Sequence, residues 1–212
     1  MAQVDAAVAT VVETLQVIGV AENALVIFSS DNGPVWFKAD IERFGHRSTY
    51  CLRGMKSDAY EGGHRMPFIA RWPGRIKAGA VSAETICFTD MLATFAALVG
   101  ADLPENAGED SYNVLPALVG ARYDSPIRQG LVVDASIRKG DWKLIFGDGE
   151  GGLSRRYNGN EPRKPRDIPG ELFNLREDIG ETNNLYDQKP AIVKELTALM
   201  ETYRKQGRSV TR

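Results

Sequence analysis

Ser30-Asp31-Asn32-Gly33-Pro34 closes an apolar run, and there a carboxylate and a side-chain amide stand next to each other. Both are hard oxygen donors of the kind that Ca²⁺ and Mg²⁺ take. In open α/β sheets, residues just past the carboxyl end of a strand sit where ligands bind, and Asp31 and Asn32 hold such a position. Asn-Gly and Gly-Pro are also turn formers, so the pentapeptide alone reads first as an ordinary turn. A second group follows, Leu52-Arg53-Gly54-Met55-Lys56 and then Tyr60-Glu61-Gly62-Gly63-His64-Arg65-Met66-Pro67. Lys56 offers an ammonium that can meet an anion. Taken singly, Lys56 is a solvated lysine, Gly62-Gly63 a turn and His64 a surface or packed imidazole. His46 and His64 are the only histidines, and as imidazoles both are weighed as an acid or base. The two cysteines, Cys51 and Cys87, have no C-x-x-C spacing and are expected as buried thiols with no bridge between them.

The elements that position these residues are legible from periodicity. Val4, Val8, Val11, Leu15 and Ile18 recur at helical steps, with Gly19 as the stop. Residues 24–30 (ALVIFSS) read as a short strand covered on both faces, and a helix leading into such a strand implies an α/β layer. Residues 66–70 (MPFIA) give a second strand, closed by Trp72-Pro73-Gly74. The segment 31–63 between them is too long for a plain connector and so points to function. Thr89 is the expected cap of a helix with Leu92, Phe95, Ala96 and Val99 on one face, ended by Gly100. Residues 101–128, rich in proline and acids, mark a boundary. Beyond it, residues 131–133 and 142–146 are expected as antiparallel strands separated by a turn at Arg138-Lys139-Gly140-Asp141. Residues 147–170 read as a mobile loop and 171–175 as a strand. A terminal helix should open near Pro190, carry Val193, Leu196, Leu199, Met200 and Tyr203 on one stripe, and stop before Gly207.

Bulk composition narrows the field. With 26 basic and 28 acidic side chains among 212 residues, 43% hydrophobic, the chain gives no electrostatic reason to expect a nucleic acid. No run approaches the roughly 18–20 apolar residues of a membrane span, and no basic segment leads into an apolar one at the N-terminus.

Together, the S-S-D-N-G-P segment and the L-R-G-M-K…Y-E-G-G-H-R-M-P segment resemble the type I sulfatases of the alkaline-phosphatase superfamily, arylsulfatase-like enzymes with a strand ending in S-D-N-G and then L-R-G-x-K…E-G-G-x-R-x-P. RWPGRIKAG, FTDMLATFAALVGADLP, SIRKGDWKLI and ELFNLREDIGETNNL are similar to successive family segments in the same order. The resemblance implies an α/β, truncated alkaline-phosphatase-like fold. Residues 1–120 would be the C-terminal half of the catalytic domain, and residues 121–212 an antiparallel subdomain with a packed terminal helix. It also implies that Asp31 and Asn32 supply part of a divalent-cation site, usually Ca²⁺ (or Mg²⁺), and that Lys56 contacts the sulfate of a sulfated small molecule or glycan.

In the resembling enzymes a formylglycine made from a cysteine or serine in C/S-x-P/A-x-R is the nucleophile. Cys51 begins Cys-Leu-Arg-Gly-Met and Cys87 begins Cys-Phe-Thr-Asp-Met, so neither fits, and the aspartate pair that completes the metal site has no counterpart. The chain is therefore expected to be inactive alone, and to need a missing N-terminal half or to self-associate through uncovered strands. Neither histidine matches a catalytic position, though His46 could shape the pocket for the organic part of the substrate. A phosphate-ester hydrolase of the same superfamily and a non-catalytic anion-binding module are the competing readings. Periplasmic, secreted and lysosomal locations all fit family habit, and the residues select none.

Overall fold

The computed structural model describes residues 2–121, 123–157 and 164–210. They form an α/β arrangement of two compact units that are discontinuous in sequence, one from residues 1–29, 67–103 and 111–127, the other from residues 30–66, 104–110 and 128–212.

In the first unit, α1 (Ala2–Val17) forms where the apolar residues recur at helical steps, and Gly19 ends it with φ 74°. Its stripe is not buried: Val4 is 45% and Val11 51% exposed. The strand expected over 24–30 is β1 (Val26–Ser29), and it pairs antiparallel with β2 (Phe68–Arg71), Ile27 opposite Ala70. Coverage of β1 on both faces does not hold. All four of its residues are half-buried, and β2 is its one ladder partner among the described residues.

The helix expected after Thr89 is α4 (Met91–Val99), entered through a 3₁₀ turn at Phe88–Asp90. The side chain anchoring its start is Asp90 and not the expected Thr89. The Asp90 carboxylate accepts the N–H of Cys87 at 2.7 Å and of Tyr112 at 3.0 Å, which ties two segments together as a neutral cap could not. Buried Thr94 accepts the Val114 N–H at 3.0 Å, just before α5 (Leu115–Leu118).

The second unit begins with the segment that carries the candidate residues, which includes α2 (Lys38–Phe44) and the single turn α3 (Glu61–His64). Its frame is an antiparallel sheet of β3 (Leu131–Val133), β4 (Ser136–Lys139), β5 (Trp142–Phe146) and β6 (Gly170–Asn174), in that order. The sequence expectation missed β4. Arg138 and Lys139 are strand residues, and Gly140-Asp141 alone turns the chain, with Lys139 paired to Trp142 and Gly140 at φ 56°.

Side chains alternate across this sheet. Ile137, Leu144 and Leu172 meet Leu196, Met200 and Tyr203 of α7 (Pro190–Gln206), a helix begun by Pro190 and ended by Gly207 at φ 68°. On the opposite face Ile145 and Phe173 pack with Ala59, Tyr60 and Leu175. That second face lies under α3.

The expected mobile loop over 147–170 is largely an anchored one in its described part. It contains α6 (Gly152–Tyr157), Gly149 accepts the Ala59 N–H at 2.9 Å, and the Gly149 N–H reaches Glu171 at 3.0 Å. Residues 158–163 lie outside the described residues. Both cysteines are free as expected, but Cys51 is exposed and Cys87 only half-buried, so buried thiols is not the right description.

Candidate functional site

Asp31 and Asn32 follow the end of β1. The Ser30 hydroxyl donates to the Asn32 carbonyl at 3.1 Å, and the Asn32 side-chain NH₂ donates to the Gly33 carbonyl at 3.2 Å, leaving Asn32 Oδ1 as the ligand-type atom. The Gly33 N–H then donates to the Gly63 carbonyl at 2.8 Å. A Cβ on Gly33 would overlap the Gly62 carbonyl, so only glycine lets the loop come this close. One residue on, the Pro34 carbonyl accepts the Lys56 N–H at 3.0 Å. The Gly62 N–H donates to the Arg53 carbonyl at 2.7 Å.

Three stretches of backbone thus cross at Gly62-Gly63: residues 31–34, 53–58 and 61–64. Asp31, Asn32 and Lys56 come off that crossing, Asp31 exposed and the other two half-buried. The turn bearing Lys56 is fixed from below. Buried Asp58 accepts the N–H of Met55 at 2.8 Å and of Gly151 at 2.6 Å, and also the Ser154 hydroxyl.

The histidines are not part of this crossing in the same way. His64 Nε2 lies 3.3 Å from Glu61 Oε1 and serves that carboxylate. His46 is exposed, and its carbonyl accepts the Trp36 indole N–H at 2.6 Å while its ring stands edge-on to Trp36 at 5.6 Å. Trp36 lines an open cleft of about 290 Å³ with Lys38, Arg47, Thr49 and Met55, the last adjoining Lys56 in the chain.

Beneath the crossing lies a charge cluster that the sequence reading missed. Lys143 of β5 is 1% exposed, with Nζ 3.0 Å from Glu61 Oε1 and 2.8 Å from Glu181 Oε1. Glu181 Oε2 in turn accepts the Glu61 N–H at 2.6 Å. Burial works to raise the Glu61 pKa, but the His64 hydrogen bond and the Lys143 charge outweigh it and hold the carboxyl far below its usual range. For Glu181 burial wins over Lys143, and its pKa is raised. Alongside, Tyr60 donates to Glu171 Oε2 at 2.7 Å, and burial together with that carboxylate pushes the phenol well above its ordinary value. Arg53 stacks on the Tyr60 ring at 3.8 Å and donates to the Glu181 carbonyl at 2.8 Å. The available signal was Lys143 itself, a lone cation inside the apolar run Trp142–Phe146.

As a cation site, Asp31 and Asn32 offer two of the roughly six to eight oxygens calcium prefers. Among the described residues no group of three or more His, Cys, Asp or Glu is placed to hold an ion. A carboxylate and an amide oxygen have the donor chemistry of hard-cation ligands, but two donors do not make a shell.

The sulfatase family model matches residues 1–101. The N-acetylgalactosamine-6-O-sulfatase of Bacteroides thetaiotaomicron is 35% identical over 211 residues, covering 94% of this chain and 40% of that enzyme. Human arylsulfatase A is 42% identical over 118 residues, covering 56% of this chain and 22% of that enzyme. A B. thetaiotaomicron structure solved in connection with the metabolism of multiple glycosaminoglycans superposes with TM-score 0.81 at 33% identity, over 96% of this chain and 43% of that one. A Pseudoalteromonas sp. sulfatase gives TM-score 0.76 at 26% identity, over 96% of this chain and 41% of that one.

With S-D-N-G and E-G-G interlocked on an α/β frame of the alkaline-phosphatase-like kind, the chain belongs to the sulfatase family. It spans 40% of the length of the Bacteroides relative. No helix among the described residues is long and apolar enough to cross a membrane.

Proposed function

We propose that this chain carries the cation-facing and sulfate-facing half of a sulfate-ester hydrolysis site, with Asp31 and Asn32 directed to a divalent cation, Ca²⁺ or Mg²⁺, and Lys56 to the sulfuryl oxygens. The observation that supports this reading is the pair of backbone bonds, Gly33 to Gly63 and Pro34 to Lys56, which set the two motifs edge to edge whatever rotamers their side chains adopt. Cleavage of an S–O bond builds negative charge on the sulfuryl and leaving-group oxygens, and a positioned ammonium stabilises that charge where it develops. A bound cation would supply further charge neutralisation. The names of the relatives favour a sulfated sugar, and the neighbouring cleft is lined by Trp36 together with Lys38 and Arg47, a lining suited to a glycan that bears further anionic groups.

What the chain's residues do not provide is the nucleophile. The formylglycine of the resembling enzymes arises in C/S-x-P/A-x-R, and Cys51 and Cys87 lie in other contexts. Charge stabilisation without that covalent step gives no turnover. The 212-residue chain should release no 4-nitrophenol from 4-nitrophenyl sulfate above background. Reproducible release that Lys56→Ala abolishes would contradict this reading and require another nucleophile among these residues.

A further inference from the structure

We propose that Lys143 is a positioning residue for the Asp31, Asn32 and Lys56 site and acts through Glu61, a proposal that rests on the function proposed above. Lys143 is far too buried to meet a substrate, and its ammonium is taken up by Glu61 and Glu181 at 3.0 and 2.8 Å. Stability alone is a poor account of such a cluster. Burying charges costs desolvation that their attraction barely offsets, and well-packed apolar residues in their place are often as stable or more so. The placement of Glu61 gives a better one.

Its carboxylate is held by Lys143 at 3.0 Å, His64 at 3.3 Å, Arg65 at 3.4 Å and Arg138 at 3.8 Å, while its own N–H is held by Glu181 at 2.6 Å. Both ends of Glu61 are pinned, and the next two residues are the ones that grip the site loops. The Gly62 N–H takes the Arg53 carbonyl, three residues before Lys56, and the Gly63 carbonyl takes the Gly33 N–H, one residue after Asn32. The helix that carries them, α3, is four residues long and has no stability of its own. Its orientation, and through it the spacing of the two motifs, is inherited from the sheet by way of Lys143. This gives the lone cation in β5 its purpose and makes the β3–β6 sheet part of the site's support.

The test is amide hydrogen exchange on the full chain, read residue by residue, with sulfate binding read at the Lys56 amide in the same samples. In Lys143→Met, exchange at Gly33 and Gly62 should quicken by about tenfold or more while the β5 and β6 amides change by less than about threefold. Inorganic sulfate should bind about tenfold more weakly, although Lys143 cannot touch it. If Lys143→Met does not fold, Glu61→Gln keeps the shape and removes the charge, and the same local pattern is expected. Uniform acceleration of every amide would mean a merely structural role and overturn the proposal, as would unchanged exchange at Gly33. If the unaltered chain shows no sulfate-dependent shift at Lys56, the proposed function fails instead, and the exchange pattern still decides whether Lys143 holds the loops.

Discussion

Gly33 is buried with its N–H on the Gly63 carbonyl, and a methyl group there would collide with Gly62. Gly33→Ala should therefore force the loop or α3 to move and cost about 1–3 kcal/mol, the range for overpacking a filled site. Urea unfolding measures it, and an unchanged midpoint would contradict the close approach. Lys56→Ala, at a half-buried side chain, should shift stability by only about 0.5 kcal/mol. At this scale Asp31, Asn32 and Lys56, the residues of the proposed site, can be named from the sequence because each belongs to a local motif. Lys143 and Glu181 were not, since their role exists only once β5 and the 175–181 turn are brought under α3. His64 was noticed as a possible acid or base, and the structure gives it to Glu61.

The hairpins were legible where a turn signal met a run of apolar residues, as at β5, and lost where the strand itself is polar. Ser136-Ile137-Arg138-Lys139 has the composition of a turn, but its register against β5 makes it a strand with Ile137 inside. In its described part the segment after β5 differs from the mobile loop expected, for a related reason: composition reports the absence of periodicity, whereas the anchors are charges. Asp148 is one of them, accepting Arg166 Nη2 at 2.6 Å, and although burial opposes it, that pairing lowers its pKa to about 2 from the ordinary 3.8. A carboxyl depressed in the folded state stabilises above its unfolded pKa and loses that contribution as pH falls through the folded value. Glu61 acts in the same direction, and Glu181, raised by burial, in the opposite one. Asp148→Asn should thus be less stable than the unaltered chain at neutral pH, with the gap closing as pH falls from about 4 towards 2. Urea midpoints measured at several pH values check this, and a gap that stays constant would assign the loss to packing.

Among the described residues the two buried apolar clusters belong to the second unit, whereas the first leaves apolar residues open on α1, β2 and α4: Val11 at 51%, Ile69 at 59% and Leu92 at 50% exposure. Exposed apolar residues drive association where they adjoin on one surface, and on that ground the chain is expected to form dimers or larger species in light scattering. A stable monomer would count against this. The fold class was legible because family segments follow in order, but the interleaving of the units was not, because the contacts that join residues 30–66 to residues 128–210 are long-range. The account turns on whether Asp31, Asn32 and Lys56 form one anion and cation site, and a ¹⁵N NMR titration with inorganic sulfate, with and without calcium, reads that directly. Shifts should gather at the Asn32, Gly33 and Lys56 amides, grow when calcium is added and disappear in Lys56→Ala; shifts spread over other basic residues, or undiminished in Lys56→Ala, would contradict the assignment.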